Sequence, residues 1–309
     1  MSSPRIAVLV PCYNEEVAIP RVVADFRAAL PEATIYVYDN NSSDRTVEAA
    51  RAAGAVVRRE RLQGKGHVVR RMFADVEADI YVLVDGDDTY DARSAPEMLR
   101  LLREEQLDMV TGVRVTEIKE SYRRGHRFGN AMFTGMVRNI FGDRISDMLS
   151  GYRVFSRRFV KSFPALSAGF ETETEFTVHA LELDMPLGEV KTPYKDRPQG
   201  STSKLRTYVD GLAILRAIFI LVKEERPLQF FSVCALALLM LALAIGAPVI
   251  VTYAETGLVP RFPTAILASA LVLIACLSQV CGLILDSVSR GRKEVRRLAY
   301  LSVPAPESW

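Results

Sequence analysis

The sequence predicts an α/β protein: a mainly parallel sheet with helices on both faces, followed by an interface helix and two transmembrane helices. Two observations carry that prediction. Across the first 115 residues, short β-type runs alternate with helical patterns, the order that builds parallel sheets covered on both sides. Between Leu228 and Leu285 only Glu255 and Arg261 are charged, and both lie in the short break "AETGLVPRFP".

The strand runs are "RIAVLVP", "ATIYVYD", "AVVRRE", "IYVLVD" and "DMVTGVRV", rich in Val, Ile and Tyr. Between them lie the helical runs "EEVAIPRVVADFRAAL", "DRTVEAARAAG", "HVVRRMFADVEA" and "APEMLRLLREEQ". The second opens at Asp44 as an N-cap and closes at Gly54, which suits the position after a helix end. Residues 116–204 are less regular. An arginine-rich loop precedes "FGNAMFTGMVRNIF"; "DMLSGYRVFSRR", a helix "ETEFTVHALELD", a strand "LGEVKTPY" and the basic loop "KDRPQGSTSK" follow.

Segment 205–226 opens with "LRTYVDGLAILRAIFILV", apolar but interrupted by Arg206, Asp210 and Arg216, which reads as an amphipathic helix in the membrane interface. Within 227–289, two apolar stretches each exceed the ~20 residues a spanning helix needs. Lys and Arg flank both outer ends, while the connecting loop holds one arginine, so the positive-inside rule places both termini in the cytoplasm of a multi-pass inner-membrane protein. Residues 290–309 form a cytoplasmic tail that frays at "SVPAPESW", and the start lacks a signal-peptide layout. Small residues such as Ala242, Gly246 and Ala247 suit helix packing, and a homo-oligomer is expected. The formal charge of +2 argues against a nucleic-acid binder. The four cysteines have no ligand or redox spacing, and the three histidines are scattered.

Ligands on such sheets bind beyond the carboxyl ends of the strands. One of those ends, "YVLVDGDDTYD", sets Asp85, Asp87, Asp88 and Asp91 within seven residues. Either a divalent cation sits among them or they form an acidic solvated loop. Three other ends suit a nucleotide diphosphate. "PCYNEE" offers Asn14 and Glu15 to a base or ribose, with Pro11 stiffening the strand exit; "YDNNSSD" offers Asp39; "QGKGH" places Lys65 between two glycines that permit close backbone approach. Each is also an ordinary turn or flexible loop when taken alone. No GxGxxG follows the first strand and no GxxxxGK[ST] is present, which disfavours a dinucleotide dehydrogenase and a P-loop kinase.

In this order, "PCYNEE", "YDNNSSDRT", "GKG", "DGD" and "SGYRVFSRR" resemble the family 2 glycosyltransferases of GT-A fold, and more narrowly the dolichol-phosphate mannose synthase and polyprenyl-phosphate glucosyltransferase branch. The similarity spans 5–204, and the interface helix and two spans match bacterial members. The resemblance implies a catalytic domain over 1–204. It makes Asp85 and Asp87 the pair that holds Mg²⁺ or Mn²⁺ and the sugar nucleotide. Pro11, Tyr13, Asn14, Glu15, Asp39, Asn41, Lys65 and Gly86 then complete the nucleotide-sugar site. Arg123, Arg124, Arg127, Asn130, Ser150, Arg197 and Lys204 become acceptor and phosphate contacts, with Arg127 and Asp147 added to the catalytic set. Asp147 equally suits a turn cap. Glu173 and Glu175 either line the sugar pocket or start a solvated helix. One departure is Thr89, where the mannose synthases usually carry glutamine.

The implied reaction is inverting transfer of a hexose from a nucleotide-diphosphate sugar, a UDP-sugar ahead of GDP-mannose, to polyprenyl phosphate at the bilayer surface. Three alternatives compete. A processive polysaccharide synthase would add a QxxRW motif, absent from this sequence; a sugar-nucleotidyltransferase would not need a membrane hairpin; a non-catalytic scaffold would be expected to lose the acids.

Overall fold

The computed structural model describes residues 4–115, 145–166, 169, 171–195, 223 and 226–304. The chain divides into two compact units. The first comprises Met1–Gly211 with Arg296–Trp309, the second Leu212–Val295.

In the first unit β1 (Ile6–Cys12), α1 (Ile19–Ala29), β2 (Thr34–Asp39), α2 (Thr46–Ala52), β3 (Val56–Arg59), α3 (Lys65–Asp75), β4 (Ile80–Leu83), α4 (Ala95–Glu104) and β5 (Met109–Val115) alternate as the hydrophobic pattern predicts. Then come β6 (Arg153–Ser156), α5 (Arg157–Ser162), α6 (Thr172–Glu182) and β7 (Leu187–Pro193). The sheet order is β3-β2-β1-β4-β6-β5-β7. β1 pairs in parallel with both β2 and β4, so the chain switches direction across the sheet at β1. In open α/β sheets that switch point is where a crevice opens at the strand ends.

β6 is a departure from the sequence expectation, which assigned no strand to Arg153–Ser156. It runs antiparallel between β4 and β5. All four of its residues are buried, so no polar/apolar alternation marks it.

Strand residues Val8, Val10, Val37 and Val82, with Val84 just past β4, pack against Ile19, Val23 and Phe26 of α1 and Met98 and Leu102 of α4. A second apolar group gathers Phe73, Phe155, Phe159, Phe163 and Phe176, with Phe155 and Phe159 stacked at 4.5 Å. Asp44 bonds the Thr46 backbone N–H at 3.0 Å at the start of α2, and Gly54 takes φ +89° just past its end.

The second unit consists, among the described residues, of α7 (Pro227–Thr256) and most of α8 (Phe262–Leu301). Both helices are long and apolar enough to cross a membrane. Leu239, Leu241, Leu243, Leu273, Leu277 and Leu283 stand exposed, as lipid-facing side chains would. α7 ends at Gly257, whose φ of +72° favours glycine.

The tail expected over 290–309 is different. α8 continues unbroken to Leu301, and its last turns belong to the first unit. There Arg296 pairs with Glu182, Tyr300 Oη donates to Asp108 Oδ2 at 2.8 Å, and Arg158 Nε donates to the Val303 carbonyl at 3.2 Å. The first unit is therefore built from both ends of the chain, where the sequence placed the catalytic domain in 1–204 alone. The interface helix expected at 205–226 lies almost wholly outside the described residues.

Candidate active site

The site forms where β1, β2 and β4 end. The chain leaves β1 through Pro11, Cys12, Tyr13, Asn14 and Glu15, and leaves β4 through Val84, Asp85 and Gly86. These exits pass so closely that a Cβ on Gly86 would lie 2.5 Å from Cys12 Sγ and 3.3 Å from the Pro11 carbonyl. Only glycine fits there, which explains the middle residue of the DGD triplet.

Asn14, Asn41 and Asp88 all adopt left-handed backbone, with φ of +54°, +65° and +58°. These residues tolerate that region better than most, and such strain collects at functional turns. Asn14 Oδ1 accepts the Ser43 N–H at 2.8 Å, and the Ser42 hydroxyl accepts the Asn14 N–H at 2.9 Å. Asn41 Nδ2 donates to the Arg61 carbonyl at 2.9 Å. The polar groups predicted to meet a ligand edge thus also staple the β1, β2 and β3 exits to one another. Asp39 is buried at the end of β2, 3.6 Å from Arg59 Nε. Glu15 is buried, whereas Tyr13 is exposed on the rim.

Lys65 is the centre of the arrangement. It opens α3 directly after Gly64, whose φ is +132°, rather than lying in a free loop. Its ammonium donates to Asp85 Oδ1 at 2.5 Å and also to Glu173 on α6. Burial opposes its charge, but the two carboxylates outweigh burial and hold the Lys65 pKa above its ordinary value. One cation therefore joins the GKG segment, the DGD triplet and the first turn of α6. Glu173 is buried, which excludes the solvated-helix alternative for it.

Asp87 is 5% exposed, and Thr89 Oγ1 donates to its Oδ1 at 2.6 Å. Asp88 pairs with Arg21 at 3.3 Å and Asp91 with Arg93 at 2.9 Å. The four acids therefore differ: Asp88 and Asp91 pair with surface arginines, Asp85 pairs with the buried Lys65, and Asp87 is enclosed with the Thr89 hydroxyl on its Oδ1. Among the described residues no three His, Cys, Asp or Glu side chains converge on one point. The two carboxylates of Asp85 and Asp87, one residue apart in the same turn, are a donor set that Mg²⁺ or Mn²⁺ accepts, since these ions bind one or two carboxylates and complete their shell with phosphate and water.

Two assignments change. Ser150 was expected to meet the acceptor, but it is fully buried and its hydroxyl donates to the Gly112 carbonyl at 2.5 Å. A loop-closing backbone bond uses the group. Asp147 takes a fork from Arg114, at 2.7 Å from Nε and 2.8 Å from Nη2. Burial raises its pKa, yet the Arg114 bonds prevail and hold it below the usual carboxylate range. It is neither a turn cap nor an uncommitted acid. Arg123, Arg124, Arg127, Asn130, Arg197 and Lys204 lie outside the described residues.

Four contributors escaped the sequence reading. Asn40 donates to the carbonyls of Glu60 and Leu62 and accepts the Gly64 N–H at 2.7 Å, so it shapes the GKG approach. Gly151 presses its backbone on Asp85: a Cβ there would lie 2.3 Å from Oδ2. Arg153 is fully buried and holds the Met148 and Ser150 carbonyls at 2.7 and 3.1 Å, fixing the loop that carries Gly151. Arg114 clamps Asp147. The order "SGYR" marked two of them as motif letters without showing what they touch.

Residues 7–163, just over half of the chain, match the family described as Glycosyl transferase family 2. The chain belongs to this family. Glycosyltransferase AglJ of Haloferax volcanii is 34% identical over 229 residues, covering 74% of this chain and 75% of that relative. A dolichyl-phosphate hexose transferase of the same organism is 30% identical over 221 residues, covering 72% and 95%. Among solved structures, glucosyl-3-phosphoglycerate synthase from Mycobacterium tuberculosis, in complex with Mn²⁺, UDP-glucose and phosphoglyceric acid, aligns with a TM-score of 0.58. It is 22% identical and the alignment covers 72% of this chain and 79% of that one, which establishes the GT-A architecture. This family 2 glycosyltransferase thus carries its catalytic unit on the same chain as two helices of membrane-spanning length.

Proposed function

We propose that this glycosyltransferase transfers a hexose from a nucleotide-diphosphate sugar, a UDP-hexose in first place, to polyprenyl phosphate at the cytoplasmic membrane face. The observation that carries the reading is the pairing, in one chain, of the Lys65–Asp85–Glu173 cluster at the strand ends with two apolar helices of membrane length. The dolichyl-phosphate hexose transferase relative supports the acceptor class, since the alignment spans nearly all of that protein.

A phosphate monoester has a second pKa near ~6, so the acceptor is already largely an oxyanion at neutral pH and no strong general base is required. Its oxygen attacks the anomeric carbon, the bond from that carbon to the donor's β-phosphate oxygen breaks, and the electron pair leaves with the nucleoside diphosphate. Attack from the opposite face inverts the centre. Asp85 and Asp87 would hold Mg²⁺ or Mn²⁺, which when bound supplies charge neutralisation for the leaving diphosphate. Gly86 and Gly151 let backbone close around these acids, and Arg123, Arg124, Arg127, Arg197 and Lys204 are the cations proposed to gather the acceptor phosphate. The charge asymmetry around the spans supports a cytoplasmic catalytic unit with both termini on the same side.

Detergent-solubilised protein incubated with Mg²⁺ or Mn²⁺, a short-chain polyprenyl phosphate and a panel of radiolabelled UDP- and GDP-sugars tests the reading. Lipid-soluble label from a UDP-hexose is the expected result, and label from GDP-mannose alone selects the mannose-synthase alternative. Transfer only to a water-soluble phosphate such as 3-phosphoglycerate overturns the lipid acceptor.

A further inference from the structure

We infer that Thr89 is a positioning residue of the metal site, acting through Asp87 and not itself binding the cation. The inference rests on the reading that Asp85 and Asp87 hold a divalent metal with the donor. Thr89 is 1% exposed, and it approaches one carboxylate oxygen twice: Oγ1 lies 2.6 Å and the backbone nitrogen 3.2 Å from Asp87 Oδ1. Two donors on a single oxygen fix the rotation of the carboxylate and so set where Oδ2 points. The hydroxyl proton is committed to Asp87, and the left-handed turn at Asp88 brings Thr89 back over it. Threonine is β-branched and therefore restricted at χ1, and here its methyl is enclosed as well.

The same residue ties the acidic turn to the rest of the site. Its carbonyl accepts the Lys195 N–H at 2.8 Å, at the root of the basic segment 195–204. The next residue, Tyr90, bridges to Tyr194, and its hydroxyl accepts the Gly151 N–H at 2.8 Å, directly behind Asp85. Thr89 therefore sits where the carboxylate of Asp87, the backing of Asp85 and the start of the basic loop are held in one register. A side chain of the same shape without the hydroxyl would keep the backbone ties and release only the carboxylate.

The test uses the full chain in detergent, with Mn²⁺ uptake followed by electron paramagnetic resonance in the presence of UDP and, separately, GDP. Thr89→Val should weaken nucleotide-dependent Mn²⁺ uptake by about tenfold, the effect of one ordinary hydrogen bond. Thr89→Ser should restore it to within about twofold, and Thr89→Ala, which introduces no bulk, should repeat the loss. Thr89→Cys should show no gain in Cd²⁺ over Mn²⁺ binding, because a thiol at a ligand position would favour the softer ion. Unchanged Mn²⁺ uptake in Thr89→Val and Thr89→Ala overturns the inference, as does a Cd²⁺ preference in Thr89→Cys. Wild-type protein that takes up no Mn²⁺ with either nucleotide overturns the metal reading itself, a result distinct from failure at Thr89 alone.

Discussion

Lys65 Nζ stands 2.5 Å from Asp85 Oδ1 and is shared with Glu173, so the protein itself supplies a cation to the first acid of the triplet. Glu173 and Lys65 are each more than nine-tenths removed from solvent, whereas the Asp85 side chain is 30% exposed. Removing the ammonium strands Glu173 in a low-dielectric setting, and breaking a buried pair in this way costs about 3–5 kcal/mol. Lys65→Met is therefore expected to lower the melting temperature and to abolish donor binding. The double variant Lys65→Met with Glu173→Gln should recover stability but not binding. A single variant with wild-type melting temperature would show that the buried pair is not formed.

Gly151→Ala probes the opposite side of the same acid. The new Cβ would lie 2.3 Å from Asp85 Oδ2, so Asp85 must swing away. The acid is partly exposed and can move, so we expect a folded protein with donor affinity reduced at least tenfold by calorimetry. Gly86→Ala should be worse for folding, since its Cβ would meet Cys12 Sγ and the Pro11 backbone, and backbone cannot yield as a side chain can. Equal donor affinity in Gly151→Ala and wild type would remove Asp85 from the donor site.

The strand ends were legible because strands and motifs are local. "PCYNEE", "DNNSSD", "GKG" and "DGD" each follow a β-run, and parallel topology brings such ends to one edge whatever the details. What sequence could not show is which polar groups the fold consumes. Ser150 and Asp147 are as polar as Asp85, yet the Gly112 carbonyl and Arg114 engage them across 38 and 33 residues. Asn40 looks identical to Asn41 in the string, but one is buried under the GKG approach and the other is exposed. β6 escaped for a related reason: a four-residue strand buried on both faces has no period to read.

His179 gives the catalytic unit an acid sensitivity that no proposed chemistry requires. It lies against Phe159 and Phe163, and burial followed by the nearby Arg296 charge pushes its pKa down to about 4. Its ordinary value is 6.5, so between those pH values the unfolded chain binds a proton that the folded one excludes. Stability from this group is complete above about pH 6.5 and is lost as pH falls toward 4, by up to about 1.4 kcal/mol per pH unit. Thermal melts at pH 7 and pH 5 should differ more for wild type than for His179→Gln. Identical pH dependence in the two proteins would exclude His179 as the source.

The last turns of α8 make the strongest prediction about where the chain cannot be cut. Asp108 and Glu182 are buried acids of the first unit, and their partners come from the far end of the sequence. Tyr300 Oη donates to Asp108 at 2.8 Å, and Arg158 lies 5.0 Å over the Tyr300 ring while donating to its hydroxyl at 3.2 Å. Arg296 meets Glu182, whose side chain is 2% exposed. A truncation ending at Lys204, which retains every motif of the glycosyltransferase, would leave Glu182 without that cation and Asp108 without that hydroxyl. Losing one partner of a buried ion pair costs about 3–5 kcal/mol, a large share of the 5–15 kcal/mol that holds a domain folded. We therefore expect 1–204 to aggregate or melt well below the full chain, and donor binding to fail with it. Tyr300→Phe and Arg296→Ala in the full chain should each reproduce part of the loss with both long apolar helices intact, which separates the clasp from whatever those helices contribute. If 1–204 is monomeric, melts with the full chain and binds UDP-hexose with metal equally well, the C-terminal contacts contribute nothing to the catalytic fold.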